Sequence, residues 1–150
     1  TMEIDRAGPS YTIDSAKALR KVYGDQSALI WLMGADSFLQ LYTWNDWQDL
    51  MQYVHLAVAS RPPYRIAIQL QDHPPLLAHY QDHQTTHAQE LCQQSSGLIY
   101  LDEELSIDLA SSSLRPLLAH HPSADAVQEW LPESVWNIIL EKGLYQSKVR

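Results

Sequence analysis

The sequence predicts an α/β protein built on a doubly wound parallel sheet. Short apolar runs without polar alternation, such as residues 28–33 and 54–59, are typical of strands that are buried on both faces. Segments with helical signals lie between these runs, and strands that alternate with helices indicate a parallel sheet. With 45% hydrophobic and 19% charged residues over 150 positions, the composition fits one compact domain and excludes a disordered chain.

Local signals place the elements in order along the chain. Ile13, Ala16 and Leu19 recur near helical spacing, and Gly24 provides the stop for a helix from Tyr11 to Val22. The other predicted helices occupy residues 37–42, 46–53, 75–94, 111–120 and 132–142. The predicted strands occupy residues 3–6, 28–33, 54–59, 98–101 and 105–109.

Charge and cysteine content exclude several classes of protein. Ten Lys and Arg residues against 18 Asp and Glu residues give a formal net charge of −8, whereas a nucleic-acid-binding protein normally carries a basic face. No apolar stretch reaches the roughly 20 residues that span a bilayer, and we expect neither a signal peptide nor membrane binding. Cys92 is the single cysteine, so no intramolecular disulfide can form and the cytoplasm is the expected location.

Small and polar residues follow the first long strand, at the edge where doubly wound sheets bind ligands. Gly34 would let a ligand approach the backbone, and Asp36 could accept hydrogen bonds from a ribose diol. Alternatively, Gly34 only makes a tight turn and Asp36 caps the following helix. The residues alone leave both interpretations open.

A tryptophan precedes a possible helix start in the next segment. Asn45, with Gln48 three residues later, resembles a capping box, which would expose backbone N–H groups to an anion such as a carboxylate. Trp44 could stack on a flat heteroaromatic ring. The alternative is that Trp44 and Trp47 are core residues, and we prefer this alternative for Trp47 but not for Trp44.

Two further segments suggest a phosphate site. Serine hydroxyls, helix N–H groups and the guanidinium of Arg115 in residues 111–115 would hold an oligophosphate, and Arg61 would be a second phosphate cation. The alternatives are a helix cap with a solvated arginine and a surface charge before a turn. His83 and His87 lie four residues apart but lack a third ligand, so we predict surface histidines and no metal site in the protein.

Several segments, in order and with suitable spacing, resemble the bacterial nicotinate-nucleotide adenylyltransferases over nearly the whole chain. The segments are Gly8-Pro9-Ser10-Tyr11-Thr12-Ile13-Asp14, Gly34-x-Asp36, Trp44-Asn45-Asp46-Trp47, His55-Leu56-Ala57-Val58-Ala59-Ser60-Arg61-Pro62, Leu109-Ala110-Ser111-Ser112-Ser113-Leu114-Arg115, Leu131-Pro132-Glu133-Ser134-Val135 and Glu141-Lys142-Gly143-Leu144-Tyr145. The resemblance implies a Rossmann-like nucleotidyltransferase that makes nicotinate adenine dinucleotide and pyrophosphate. Its implied substrates are ATP, with Mg²⁺ on the triphosphate, and nicotinate mononucleotide.

The resemblance also implies roles for individual residues. Trp44 would stack on the pyridine ring, and backbone N–H groups near Tyr11, Thr12 and Asn45 would meet the pyridine carboxylate. Gly34 and Asp36 would lie against the nucleotide sugars. Ser112 and the catalytic cation Arg115 would contact the ATP phosphates. The first serine of the family's Ser-Ser-Thr-x-x-Arg pattern is replaced by Ala110.

One signature of the family has no counterpart in this sequence. The family begins with a glycine-rich strand and a His-x-Gly-His motif, which these residues lack, and Thr1 stands in place of an initiator methionine. We therefore expect residues 1–150 to form a single, N-terminally incomplete nucleotidyltransferase domain with exposed sheet edges and negligible turnover by itself. Two alternatives stay open, namely another adenylyltransferase of the superfamily and a non-catalytic nucleotide-binding module.

Overall fold

The computed structural model describes residues 2–60, 65–102, 111–119 and 130–145. The chain divides into two compact units, residues 1–107 and 108–150, which are described separately. The prediction of one domain over residues 1–150 stays a prediction. In the described part of the chain, no helix is long and apolar enough to cross a bilayer.

The first unit is built on a four-stranded parallel sheet flanked by helices. Its strands are β1 (Ile30–Gly34), β2 (His55–Ala59), β3 (Gln84–Thr85) and β4 (Ile99–Asp102). The spatial order is β1-β2-β4-β3, and each neighbouring pair is parallel. The predicted parallel α/β class is confirmed, and three of the predicted strands, at 28–33, 54–59 and 98–101, correspond to β1, β2 and β4 within two residues.

The two faces of this sheet differ in how completely they are covered. On one face Met33, Leu56 and Ile99 are buried and join the main hydrophobic core. On the other face Ile30 and Leu32 of β1 are 45% and 75% exposed. Because β1 is an edge strand of the described sheet, these apolar side chains lie beside unpaired backbone groups.

Helices and short 3₁₀ segments connect the strands. The helices are α1 (Thr12–Tyr23), α2 (Ala35–Leu39), α3 (Ile66–Gln69) and α4 (Pro74–His83). The 3₁₀ segments are Leu41–Thr43, Trp47–Gln52, Leu70–Asp72 and Ala88–Cys92. The prediction of α1 is confirmed, since Ile13 and Ala16 are buried on the core side and Gly24, with φ of 80°, ends the helix. The helical segments predicted at 37–42 and 46–53 are shorter than expected or 3₁₀ in type.

Two predicted elements of this unit are wrong. Residues 2–5 form turns instead of a strand, and the Glu3 carboxylate accepts a hydrogen bond of 2.7 Å from the hydroxyl of buried Ser15. The helix predicted at 75–94 ends at His83, because Thr85 pairs with Tyr100 of β4 and donates its hydroxyl to Glu90. Pairing with a distant strand therefore overrides the local helical pattern.

The second unit contains α5 (Ser111–Ala119) and α6 (Glu133–Glu141). Leu118 of α5 and two residues of α6, Trp136 and Ile139, form its small buried cluster. Both helices confirm the predicted elements, although Pro132 precedes α6 instead of occupying its first position. The strand predicted at 105–109 lies outside the described residues.

Candidate functional site

The carboxyl ends of three strands form one row at one edge of the sheet. Gly34 of β1 is in register with Ala59 of β2, and Ala59 with Asp102 of β4. Neighbouring strands lie about 4.8 Å apart, so the row is roughly 10 Å wide. Ser60, buried directly after β2, donates its backbone N–H to the Asp102 carbonyl at 2.8 Å. Asp102 was missed in the sequence, where an acidic residue directly after a predicted strand was the available signal.

Gly34 and Asp36 lie where β1 leads into α2. Gly34 is the residue before α2 and has φ of −82° and ψ of 160°, which is extended backbone. No side-chain cap hydrogen bond is present at the start of α2. Asp36 lies in the first turn of α2, and both interpretations of Gly34 and Asp36, a ligand site and a turn with a helix cap, stay predictions.

The segment after α2 bends sharply at Asp46. Asp46 has φ of 48° and ψ of 38°, in the left-handed region that Asp and Asn tolerate better than most residues. It precedes the 3₁₀ segment Trp47–Gln52, and Asn45 donates its side-chain amide to the Asp46 carboxylate at 2.9 Å. The predicted capping box of Asn45 and Gln48 is thus wrong, because the turn begins one residue later and the Asn45 amide is engaged by Asp46.

The aromatic residues of this segment have different surroundings. Tyr42 stacks on His73 at a centroid distance of 4.9 Å, and Trp47 contacts the His79 ring edge-on at 4.8 Å. Trp47 also packs against the main core, which confirms its predicted packing role. Trp44 is half-buried and packs on the same core, but among the described residues its indole has no aromatic partner. Stacking of a ligand on Trp44 stays a prediction.

Tyr11 and Thr12 lie at the start of α1, with Tyr11 in the capping position. At the other end of α1, Arg20 bonds the backbone carbonyls of residues that precede β2 and β4, which places that end of the helix at the amino edge of the sheet. A helix of 12 residues is about 18 Å long and a five-residue strand about 16 Å. Tyr11 and Thr12 therefore lie at the end of α1 that is remote from these amino-edge contacts.

Two buried polar residues at the amino edge were also missed in the sequence. Arg20 is 8% exposed and donates to the carbonyls of Gly24, Ser27, Tyr53 and Ser95. His55 is fully buried, accepts a hydrogen bond at Nδ1 from the Leu98 N–H at 3.0 Å and donates from Nε2 to the Gln94 carbonyl at 2.9 Å. Burial lowers the pKa of His55, helped by the Arg20 charge, and the Gln94 carbonyl opposes this shift.

The sequence spacing suggested that His83 and His87 lie together, whereas the structure brings His83 next to His79. Since α4 ends at His83, His87 lies outside the helix, and His83 instead approaches His79 at a centroid distance of 4.6 Å. Burial lowers the pKa of His79, the neighbouring His83 lowers it further, and Asp82 raises it. In residues 2–60, 65–102, 111–119 and 130–145, no group of three or more His, Cys, Asp or Glu side chains could hold a metal ion.

The predicted phosphate residues lie in the second unit or outside the described residues. Ser112 and Arg115 belong to α5, and the Arg115 side chain is exposed. Arg61 lies in the range 61–64, outside the described residues. The phosphate contacts of Ser112, Arg115 and Arg61 stay predictions.

Comparison with known proteins places the chain in a family. A family model described as cytidylyltransferase-like matches residues 3–115. Relatives named "Probable nicotinate-nucleotide adenylyltransferase" come from Aeromonas salmonicida, with 40% identity over 97% of this chain and 64% of the relative, and from Methylococcus capsulatus, with 35% identity over 97% and 65%. The chain therefore spans about 64% of the length of the first of these curated relatives. Together with the parallel sheet flanked by helices, the match over most of the sequence shows that the chain belongs to the cytidylyltransferase-like family.

Proposed function

We propose that the natural protein containing this sequence is a nicotinate-nucleotide adenylyltransferase. The observation that carries the proposal is the similarity to relatives bearing that name, at 33–40% identity over 96–97% of this chain. The geometry supports it, since Gly34 and Asp36 lie at the carboxyl edge of a parallel sheet, where α/β proteins bind nucleotides. The protein would act in the cytoplasm, without nucleic acid or membrane partners.

The proposed reaction transfers an adenylyl group and needs no protein nucleophile. A phosphate oxygen of nicotinate mononucleotide forms a bond to the α-phosphorus of ATP, and the bond from that phosphorus to the bridging oxygen breaks as pyrophosphate leaves. Catalysis then depends on positioning the two substrates and stabilising charge on the phosphates. Arg115 is the catalytic cation of the proposal, and Ser112 and Arg61 contact phosphates.

The acceptor site of the proposal is formed by the first unit. Trp44 stacks on the pyridine ring, and its lack of an aromatic partner among the described residues supports this role. Backbone N–H groups near Tyr11, Thr12 and Asn45 donate to the pyridine carboxylate. Donors at this place favour the acid over the amide, because the NH₂ group of an amide would face another donor.

In the proposed reaction, magnesium binds to the protein together with ATP. A magnesium ion commonly keeps several waters and binds substrate phosphates with only one or two carboxylates. The described residues offer no cluster of three metal-binding side chains, which fits an ion held by the triphosphate. When bound, the ion would neutralise phosphate charge.

Replacing Trp44 tests the proposal. In the natural protein that contains this sequence, Trp44→Ala should raise KM for nicotinate mononucleotide roughly 10- to 100-fold, because stacking on an aromatic ring contributes about 1–3 kcal/mol. The value of kcat should change much less, and nicotinamide mononucleotide should be a poor acceptor for the unmodified protein. Pyrophosphate release with each acceptor is the measurement.

Trp47→Phe is the matched control, since Trp47 contacts His79 and the core. It should leave KM for nicotinate mononucleotide close to that of the unmodified protein. Preferred use of an acceptor without a pyridine ring would contradict the proposal and support another adenylyltransferase of the superfamily. Binding of nucleotides without any pyrophosphate release would support a non-catalytic module.

A further inference from the structure

Two histidine rings contact the chain on either side of Trp44. Tyr42 lies before Trp44 in the sequence and stacks on His73, with a centroid distance of 4.9 Å and an interplanar angle of 28°. Trp47 lies after it and meets His79, with a centroid distance of 4.8 Å and an angle of 71°. His73 is the residue before α4, and His79 belongs to this helix. The same helical segment therefore holds the chain on both sides of the turn 44–46.

The hydrogen bonds of the turn are local. The Trp44 N–H donates to the Leu41 carbonyl at 2.9 Å, and the Asp49 N–H donates to the Asp46 carbonyl at 3.0 Å. Asn45 and Asp46 are exposed, and their side chains bond each other. A non-glycine residue keeps a left-handed backbone, as Asp46 does, only where its surroundings hold it. Packing contacts with distant residues therefore have to keep the turn in this shape.

Of the two ring contacts, the one made by His79 is sensitive to protonation. The Nε2 atom of His79 is buried and has no hydrogen-bond partner among the described residues. The His83 ring lies 4.6 Å away, and its Nδ1 atom donates to the Gly97 carbonyl at 2.9 Å. A proton on Nε2 of His79 would therefore bury an N–H group without an acceptor, beside a second histidine.

The charged groups around His79 come from two elements. Burial has the largest influence and lowers the pKa of His79, His83 lowers it further, and Asp82 raises it. The 3₁₀ segment that begins at Trp47 presents a neutral indole, and its Asp49 carboxylate accepts a hydrogen bond of 3.0 Å within that segment. Since this packing lowers the pKa, an arrangement that exposes His79 to water binds the proton more tightly, and acid favours it.

From these contacts we propose that His73 and His79 are positioning residues, which clamp the turn 44–46 in the shape that binds the acceptor. The clamp consists of the two ring contacts, Tyr42 with His73 and Trp47 with His79. It is closed while His79 is neutral and opens when His79 is protonated. Each histidine acts through the aromatic residue that it holds and not by touching the substrate. The effect on the acceptor rests on the proposed function, whereas the clamp itself does not.

Two substitutions of His79 in the natural protein test the clamp by kinetics. His79→Ala removes the ring, so at about pH 7.5 KM for nicotinate mononucleotide should rise roughly 3- to 10-fold, the range expected for one aromatic contact, with little change in kcat. His79→Phe keeps a ring that cannot take up a proton, so KM at this pH should match that of the unmodified protein.

The pH profile of the same proteins tests the opening of the clamp. From about pH 7.5 to about pH 5.5, KM should rise for the unmodified protein and rise less for His79→Phe. The phosphate of the substrate also titrates near pH 6, and comparison of the two proteins at each pH cancels its effect. Identical profiles for the two proteins would overturn the inference.

His87→Ala is the matched control, because His87 is exposed and lies outside α4. It should leave KM unchanged at every pH. His73→Ala removes the other ring contact, from a tyrosine that is 43% exposed, and should also raise KM. This variant keeps the clamp testable if His79→Ala does not fold. Values of KM for His73→Ala and His79→Ala that equal those of His87→Ala would contradict the clamp.

A measurement without substrate separates the clamp from the proposed function. In NMR spectra of the natural protein, the amide signals of residues 44–46 should shift with pH together with the ring signals of His79. The midpoint should lie below pH 6.5, because burial lowers the pKa of His79, and His79→Phe should abolish the shift. Turn signals that do not respond to protonation of His79 would refute the clamp. A shift in a protein that does not use nicotinate mononucleotide would confirm the clamp and refute the proposed function.

Discussion

Polar side chains at the two edges of the parallel sheet differ in their hydrogen bonding. At the amino edge, Arg20 and His55 are buried and their side chains bond backbone groups of the loops that precede the strands. At the carboxyl edge, the Asp36 carboxylate makes no hydrogen bond to a described residue, and Asp46 holds a left-handed backbone. The buried polar side chains of the amino edge are thus hydrogen-bonded within the protein, whereas the Asp36 carboxylate at the carboxyl edge is available to a ligand.

This difference teaches how stability and function can be separated within one sheet. Buried polar groups with complete hydrogen bonding define a single arrangement of the chain, because any other arrangement leaves them unpaired. Polar groups without internal partners contribute little to folding and can bond a substrate instead. Substitutions at the amino edge should therefore change stability, and those at the carboxyl edge should change activity.

The largest effect on stability is expected from Arg20→Met. The change removes the donors from four backbone carbonyls, those of Gly24, Ser27, Tyr53 and Ser95, and should lower the free energy of unfolding by roughly 3 kcal/mol or more. Urea-induced unfolding followed by circular dichroism gives this quantity. Lys21→Met, at the exposed neighbouring position, should change it by less than about 0.5 kcal/mol. Similar values for the two variants would refute the distinction between the edges.

Acidification should lower the free energy of unfolding by a smaller amount. This effect comes from His55 and His79, whose pKa values are lowered by burial. Burial lowers the pKa values of His55 and His79 in the folded state, whereas an unfolded histidine takes up its proton near pH 6.5. Below that pH the unfolded chain binds more protons, so the free energy of unfolding falls as the pH decreases from 7.5 to 5. Thermal unfolding across this range measures it.

His79→Phe separates this contribution from that of the carboxyl groups. The variant keeps a ring beside Trp47, removes the Nε2 atom that has no partner among the described residues, and should weaken the loss of stability in acid. An unchanged pH dependence in His79→Phe would mean that His79 contributes nothing to it.

The smallest effect on stability is expected at the carboxyl edge. Asp36→Ala should change the free energy of unfolding by less than about 0.5 kcal/mol, because Asp36 is half-buried and makes no cap hydrogen bond to α2. The same urea measurement applies, with Arg20→Met as the reference for a large loss. A loss near that of Arg20→Met would show that Asp36 supports the fold and would remove the contrast between the edges.

Prediction from the sequence succeeded where the local pattern and the tertiary environment agree. The apolar runs at 28–33, 54–59 and 98–101 are strands because their side chains are buried in the sheet, and α1 follows its helical spacing. Prediction failed at 75–94, where Thr85 pairs with β4, and at 3–6, where Glu3 turns towards Ser15. Both failures depend on partners that lie at least 12 residues away in the chain.

Some features of the candidate site could likewise be predicted from the sequence, and others could not. The sequence pattern correctly placed Gly34 and Asp36 after a strand, while their role towards a ligand stays a prediction. The ordered segments were sufficient to indicate the family that the comparisons support. The left-handed turn at Asp46 and the alignment of Asp102 with Gly34 could not be predicted, since one is a backbone angle and the other a strand register.

The sequence by itself determined the fold class and the residues at the first strand end, because burial periodicity and glycine placement are local properties of a chain. Only the tertiary structure decided that Arg20 and His55 close the amino edge and that the Asp36 carboxylate fills the space beside Gly34. The physical reason is that hydrogen bonds to backbone carbonyls and the placement of a side chain beside a glycine depend on where the folded chain brings these groups in space.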